Sequence, residues 1–272
     1  MRIRPLLVLS VALLSCLATA PARAAGNDLT GQSAPELTLS DGLNGASAAT
    51  NFATLRGKVV CLKFWLTHCP ICRGTLPQFQ ELNDRYSRAG VVCLGVVIDT
   101  AEGVQGYLKE KGWTFQVGCD PDGRSASRYG VQHYPADYVV GPDGVVRASN
   151  GFPRAVIEEE LRKVRSAELG PVPDSLKSVR DAVEDGDYGL ALRLAEAAAK
   201  ADGAAPDVKA VAAKVLELAR RRQENRFTRA AALQKSGNRA EAQAELEKIL
   251  KDFTGTSLEA RAKEMLAASA GK

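Results

Sequence analysis

The chain has 272 residues, 45% of them hydrophobic and 25% charged, with a formal net charge of +4. That is enough apolar material for one ordinary core and a second, smaller one. The basic residues are interspersed with acidic ones rather than gathered into a stripe, which argues against a nucleic-acid surface.

Arg2 and Arg4, an apolar stretch over 6–14 and small residues up to Ala22-Arg23-Ala24 predict a secretory signal peptide over 1–24. Cys16, in Leu13-Leu14-Ser15-Cys16, is the alternative lipid-attachment site, and membrane contact is expected only if it is lipidated. No later segment approaches the length of a membrane span. The mature chain is therefore expected to be periplasmic or otherwise extracytoplasmic, and soluble or lipid-anchored.

Downstream, 34–39 alternates like a strand, and Asp41-Gly42 with Asn44-Gly45 marks a turn before 50–55, so an N-terminal β-hairpin is expected. The Val- and aromatic-rich run 59–65 reads as a buried strand, a helix follows to about 89, and 91–99 reads as a second apolar strand. Strand, helix, strand implies a parallel pair. A helix over 102–111, a short strand at 114–117, a helical turn at 124–129 and strands at 136–140 and 145–148 complete an α/β domain over 31–165. Past Gly170-Pro171-Val172-Pro173 the sequence turns to Ala, Leu, Glu, Lys and Arg. Helices are expected at 175–185, 188–200, 206–235, 239–252 and 257–268, giving an all-α domain over 173–270.

The chemistry is carried by Cys69-Pro70-Ile71-Cys72, set where the strand gives way to a helix. Cys69 is expected at the helix N-terminus, where unpaired N–H groups and the helix dipole favour a thiolate. Cys72 falls one turn below on the same face, placed to resolve a mixed disulfide on Cys69. A closed zinc site needs further Cys or His ligands, but the other cysteines are scattered singly and His68 and His133 are the only histidines, so no metal is expected. Cys61 and Cys93 lie in Val-rich runs and read as core residues, whereas Cys119, before the turn Asp120-Pro121-Asp122-Gly123, reads as accessible.

These motifs in their order resemble the thioredoxin fold, and within it the exported TlpA/ResA-like thiol–disulfide oxidoreductases. The resemblance rests on Ala34-Pro35, Arg56-Gly57-Lys58-Val59-Val60, Phe64-Trp65, the Cys69 to Arg73 core, Pro77, Asp120-Pro121-Asp122-Gly123, Tyr129-Gly130-Val131, Pro135 and Asp143-Gly144. It implies that Pro135 is a cis-proline facing the redox pair and that Tyr134 and Pro135 form a peptide-binding lip; Trp65 is expected as a third substrate-binding residue, and no cofactor is expected. Three positions depart from the pattern: Lys63 stands where many members have Asp or Asn, His68 replaces a common Trp, and Thr75 replaces an acidic residue of the members that serve cytochrome c maturation. Tyr134 before the proline resembles protein disulfide isomerase domains.

Lys63 and His68 are the residues expected to tune the thiols. A buried Lys63 near Cys72 would favour its thiolate as an ammonium or accept its proton as an amine; the other reading lets the head escape past the sheet edge. His68 either supports the Cys69 thiolate as an imidazolium or is simply solvated. In the C-terminal part, Asp185-Gly186-Asp187-Tyr188 with Ala191, Ala195 and Ala198, and Gly237-Asn238 with Ala240, Leu246 and Ile249, resemble tetratricopeptide turns, though farther apart than the ~34-residue period of that repeat. The resulting expectation is an exported oxidoreductase exchanging disulfides with protein thiols and disulfides, with a helical domain that binds a protein partner. The rivals are a peroxiredoxin-like peroxidase, suggested by Thr67-His68-Cys69, and a helical scaffold with an incidental redox domain.

Overall fold

A computed structural model of the chain describes residues 27–235 and 238–270. The expected signal peptide, Cys16 and the turn residues Ser236 and Gly237 lie outside the described residues.

The core of the first unit is a six-stranded mixed sheet. Its strands are β1 (Asp41–Leu43), β2 (Val60–Trp65), β3 (Val92–Val97), β4 (Gln116–Cys119), β5 (Ala136–Val140) and β6 (Val146–Ser149), in the spatial order β1-β4-β3-β2-β5-β6. β2, β3 and β4 run parallel, while β5 and β6 are antiparallel on one side and β1 on the other. Four helices complete the unit: α1 (Pro70–Tyr86), α2 (Ala101–Lys111), the short α3 (Arg124–Arg128) and α4 (Arg154–Leu169). The segment β2-α1-β3 followed by the β5-β6 hairpin and α4 is the thioredoxin arrangement, with β4 extending the sheet beyond β3.

Because β2 is central, both of its faces are covered and every residue in it is buried. Val60, Leu62 and Phe64 belong to one apolar cluster with Tyr129 and Tyr138; Cys61 and Trp65 belong to the other, with Leu76 and Phe79 of α1 and Ile157 and Leu161 of α4. The odd-numbered face of β2 thus lies under α1, the helix that begins at the cysteines.

The expected N-terminal hairpin is replaced by the single short strand β1, which pairs with β4 rather than with its own neighbour. Leu37 and Leu39 spend their apolar surface on the sheet instead: both are buried, and Leu39 fills the space left by Gly118, where a Cβ would lie 2.5 Å from Leu39 Cδ1. Tertiary packing outweighs the local turn signal.

α4 continues past 165 and links the two units. Its Ile157 and Leu161 pack on the sheet, whereas Leu169 joins the apolar cluster of the helices that follow. Those helices are α5 (Lys177–Asp185), reached through a 3-10 turn at Asp174–Leu176, then α6 (Tyr188–Lys200), α7 (Pro206–Lys235), α8 (Arg239–Phe253) and α9 (Glu259–Ala270). Gly186, with φ 79°, ends α5, and Asp187 caps α6 by accepting from the Leu190 N–H at 2.8 Å. α6 can approach α8 closely because Gly189 has no side chain; a Cβ there would fall 1.8 Å from the Asp252 carbonyl oxygen. The 30-residue α7 separates the two Gly-containing turns, which is why they lie farther apart than a tetratricopeptide period.

Candidate active site

α1 opens with Cys69 as its N-cap and Pro70 in its first turn, where the missing proline N–H costs nothing. The Cys72 backbone N–H donates to Cys69 Sγ at 3.3 Å, so the sulfur takes the place that a capping oxygen would fill. Cys69 is half-buried and Cys72 fully buried, and both are free thiols. Burial, and then the bond to Cys69, push the Cys72 thiol up to about 12.

The peptide bond between Tyr134 and Pro135 is cis, as expected. It places the Tyr134 carbonyl 3.8 Å from Cys69 Sγ, within reach of the thiol as donor. Tyr134 and Pro135 are both partly exposed, so this edge is open on the side where Cys69 emerges.

Beneath the pair, Lys63 is buried at 2% exposure, which decides between the two readings of it. Its Nζ does not escape past the sheet edge. It donates to Asp137 Oδ1 at 2.7 Å and sits 5.7 Å from the Phe79 ring centre and 5.5 Å from that of Phe152. The pairing follows from register: Lys63 and Asp137 are directly opposed on the antiparallel strands β2 and β5, so their side chains leave the same face. Burial raises the Asp137 carboxyl above its ordinary range, with Lys63 pulling the other way, and the Lys63 charge also works against burial at Cys72.

The loop before the cysteines is fastened by two side chains. Thr67 Oγ1 donates to Asp99 Oδ2 at 2.9 Å, and Arg73 Nε donates to the Thr67 carbonyl at 2.7 Å while its guanidinium lies 5.4 Å from the Tyr107 ring centre. Ile71, between the cysteines, is 67% exposed, although isoleucine is usually buried.

Two sequence expectations change, those for Trp65 and Cys119, and both readings of His68 stand. Trp65 is wholly buried, with its ring 6.3 Å from that of Tyr107 and against Gly95, whose absent Cβ would lie 3.0 Å from Trp65 Nε1; it supports the site from inside and does not line its surface. His68 is exposed, and none of its described contacts ties it to Cys69. Cys119 is buried rather than accessible, because it ends β4 and pairs with Asp41 of β1; burial pushes its thiol up to about 11. Sequence reasoning missed Asp137 and Ile71. An acid inside the apolar run 136–140 was the available signal for the first, and the position between the cysteines for the second.

Residues 30–149 match the model of the AhpC/TSA family. The thiol–disulfide oxidoreductase ResA of Oceanobacillus iheyensis is 30% identical over 118 residues, which are 43% of this chain and 62% of that protein. This segment is similar to the TlpA/ResA-like redoxin domains. ResA of Bacillus thuringiensis subsp. konkukian is 29% identical over 137 residues, 49% of this chain and 78% of its own. The chain thus spans less than two thirds of the first of these relatives. Among solved structures, a thiol:disulfide interchange protein of the thioredoxin family from Chlorobium tepidum superposes with a TM-score of 0.41 at 22% identity, over 50% of this chain and 99% of its own. Among the described residues no cluster of His, Cys, Asp and Glu could hold a metal ion, and no helix is long and apolar enough to cross a membrane.

Proposed function

We propose that this protein is an exported thiol–disulfide oxidoreductase acting on protein disulfides. The observation that carries the reading is the unequal setting of the two sulfurs: Cys69 caps α1 and is partly open beside the Tyr134 carbonyl, whereas Cys72 is buried a turn below.

The Cys69 thiolate attacks one sulfur of the substrate disulfide, forming a mixed disulfide and releasing one substrate thiolate. Cys72 gives up its proton and attacks Cys69 Sγ, releasing the second substrate thiolate and leaving a Cys69–Cys72 disulfide. The substrate gains two electrons and the pair loses two; read backwards, the same steps oxidise a dithiol. Tyr134 offers its carbonyl to an extended substrate segment, and exposed Ile71 offers it an apolar contact. The proton on Cys72 is the kinetic obstacle, and the Lys63–Asp137 pair is the group placed to take it. The export expectation continues to rest on the leader-like residues 1–24 and the lipidation alternative on Cys16.

Cys72→Ser should therefore accumulate mixed disulfides with substrate proteins, resolved on non-reducing gels and mapped to Cys69 by mass spectrometry, while Cys69→Ser should form none. Accumulation on Cys69→Ser instead would reverse the roles.

The AhpC/TSA match keeps a peroxidase in view. Thr67, the residue that suggested it, spends its hydroxyl on Asp99. Peroxide consumption at a rate matching disulfide exchange would favour that reading.

The domain division at 165–173 and a partner role for 173–270 belong to the same proposal. A chain of residues 25–170 should reduce a generic protein disulfide at close to the full-length rate and bind a native partner more weakly. Equal partner affinity would leave the helices without that role.

A further inference from the structure

A cavity of about 770 Å³ lies between the units, walled by the C-terminal end of α1, the α5–α6 turn and the facing sides of α7 and α8. Two of its lining residues carry polar atoms that the fold leaves unused. Gln223 of α7 is 1% exposed and Tyr188 of α6 is 9% exposed; among the described residues Gln223 Nε2 has no hydrogen-bond partner, and the Tyr188 hydroxyl has none at good geometry, the Arg222 side chain being the charged group that approaches it. Orphaned donors at this depth each cost about 1–3 kcal/mol, so they need an explanation.

Water could satisfy them, but the charge around them is lopsided. Seven basic side chains and four acidic ones line the cavity. All four acids are already engaged: Glu245 and Asp252 hold Arg226 at 3.0 and 2.6 Å, Asp185 holds Arg162 at 2.7 Å, and Asp187 caps α6. Arg222 is paired with Glu168 and Arg229 with Glu241. Arg85, Arg165 and Lys248 have no carboxylate partner among the described residues; Arg165 donates only to the Glu184 carbonyl. Buried neutral donors framed by surplus positive charge are the pattern that selects an oxyanion over water.

We propose that this cleft binds a small, multiply charged oxyanion, a polycarboxylate or a phosphate ester, with Gln223 and Tyr188 as its neutral donors and Arg85, Arg165 and Lys248 as its counter-charges. The volume lies within the roughly 300–1,000 Å³ of small-molecule sites. Donors this deeply buried are reached by a ligand that enters the cavity, not by a chain that lies across it. The site is independent of the cysteines, although α1 contributes to both.

The test uses the full mature chain with citrate and pyrophosphate as probes, followed by thermal unfolding and titration calorimetry, with sodium chloride at matched ionic strength as control. At about a hundredfold excess over its Kd, either anion should raise the melting temperature by roughly 4 °C or more. Gln223→Met replaces the amide, whose nitrogen is unpartnered, by an apolar chain of similar shape, so the fold should hold while affinity falls roughly tenfold. Tyr188→Phe keeps the ring and should weaken binding in the same direction. The proposal is overturned if neither anion protects beyond chloride, or if protection is unchanged in both variants. It is equally overturned if an octaglutamate peptide binds in a Gln223-dependent way while both small anions do not, since the ligand would then be a protein segment.

Discussion

In the sheet unit, Lys63 and Asp137 form a buried ion pair beside the rings of Phe79 and Phe152, which are stacked 5.3 Å apart. In the helical unit, Arg226 bridges Glu245 and Asp252 at the edge of a core in which Ala191, Ala195, Ala219, Ala230 and Ala262 pack among larger Leu, Val and Phe side chains. The second arrangement needs no catalytic explanation. It ties α7 to α8 where solvent still reaches, and small residues let those helices come close. The first is costly, because two charges leave water for an apolar interior that hydrophobic residues would fill at least as well. A pair kept under those conditions, beneath a thiol that must lose a proton, is what supports the proposal that it serves chemistry rather than stability.

The sharpest way to break that comparison is Lys63→Met. It strands Asp137 in the core and should lower stability by about 3 kcal/mol, at the low end for a buried pair because Asp137 is partly exposed. Resolution of the mixed disulfide at pH 7 should slow by roughly 10²-fold. Lys63→Met combined with Asp137→Leu should recover the stability and not the rate. Stopped-flow release of a fluorescent peptide thiol, beside urea unfolding, separates the two effects; a double variant that resolves at the wild-type rate would make the pair purely structural.

Gly189→Ala probes the other side. Its methyl group would collide with the backbone at Asp252, forcing α6 away from α8 at a cost of roughly 1–3 kcal/mol, partly offset by the better helix propensity of alanine. Thermal unfolding should show the loss, and the disulfide-exchange rate should not change. A matching fall in exchange would mean that the helical unit supports the redox site directly.

What could be read before folding was local. Cys69 and Cys72 announce themselves by spacing and by the switch from strand to helix, and Pro135 by the motifs around it. The partner of Lys63 could not be read that way, because Asp137 is 74 residues away and only the register of β2 against β5 brings them together. Trp65 was misjudged for a related reason: strand parity assigns it a face but does not say that α1 and α2 cover that face completely. Cys119 looked accessible beside a turn until β1 arrived to close the sheet edge. The inter-unit cleft had no sequence signal at all, since Gln223 and Tyr188 are unremarkable on their own helices and become conspicuous only when packing leaves them unpaired.

The mildest effect is one of pH. Cys72 is a neutral thiol in the folded protein, held at about 12 against an ordinary 9.0, chiefly by burial. Its contribution to stability is therefore complete below about pH 9 and is lost as the pH rises from there toward 12, because the unfolded chain gives up the proton first. The same displacement governs the resolving step. Far below 12 the thiolate fraction grows tenfold per pH unit, so a Cys72 that lost its proton to solvent before attacking would release substrate about tenfold faster per unit between pH 7 and 9, whereas a proton taken by the Lys63–Asp137 pair during the attack should make the rise much shallower. With Lys63→Met and Asp137→Leu together the profile should steepen toward tenfold per unit and move to higher pH, since both the base and the Lys63 charge that favours the thiolate are gone. A rise as steep as tenfold per unit in the unaltered protein would mean that Cys72 ionises before it attacks, and the Lys63–Asp137 pair would then have no proton to take.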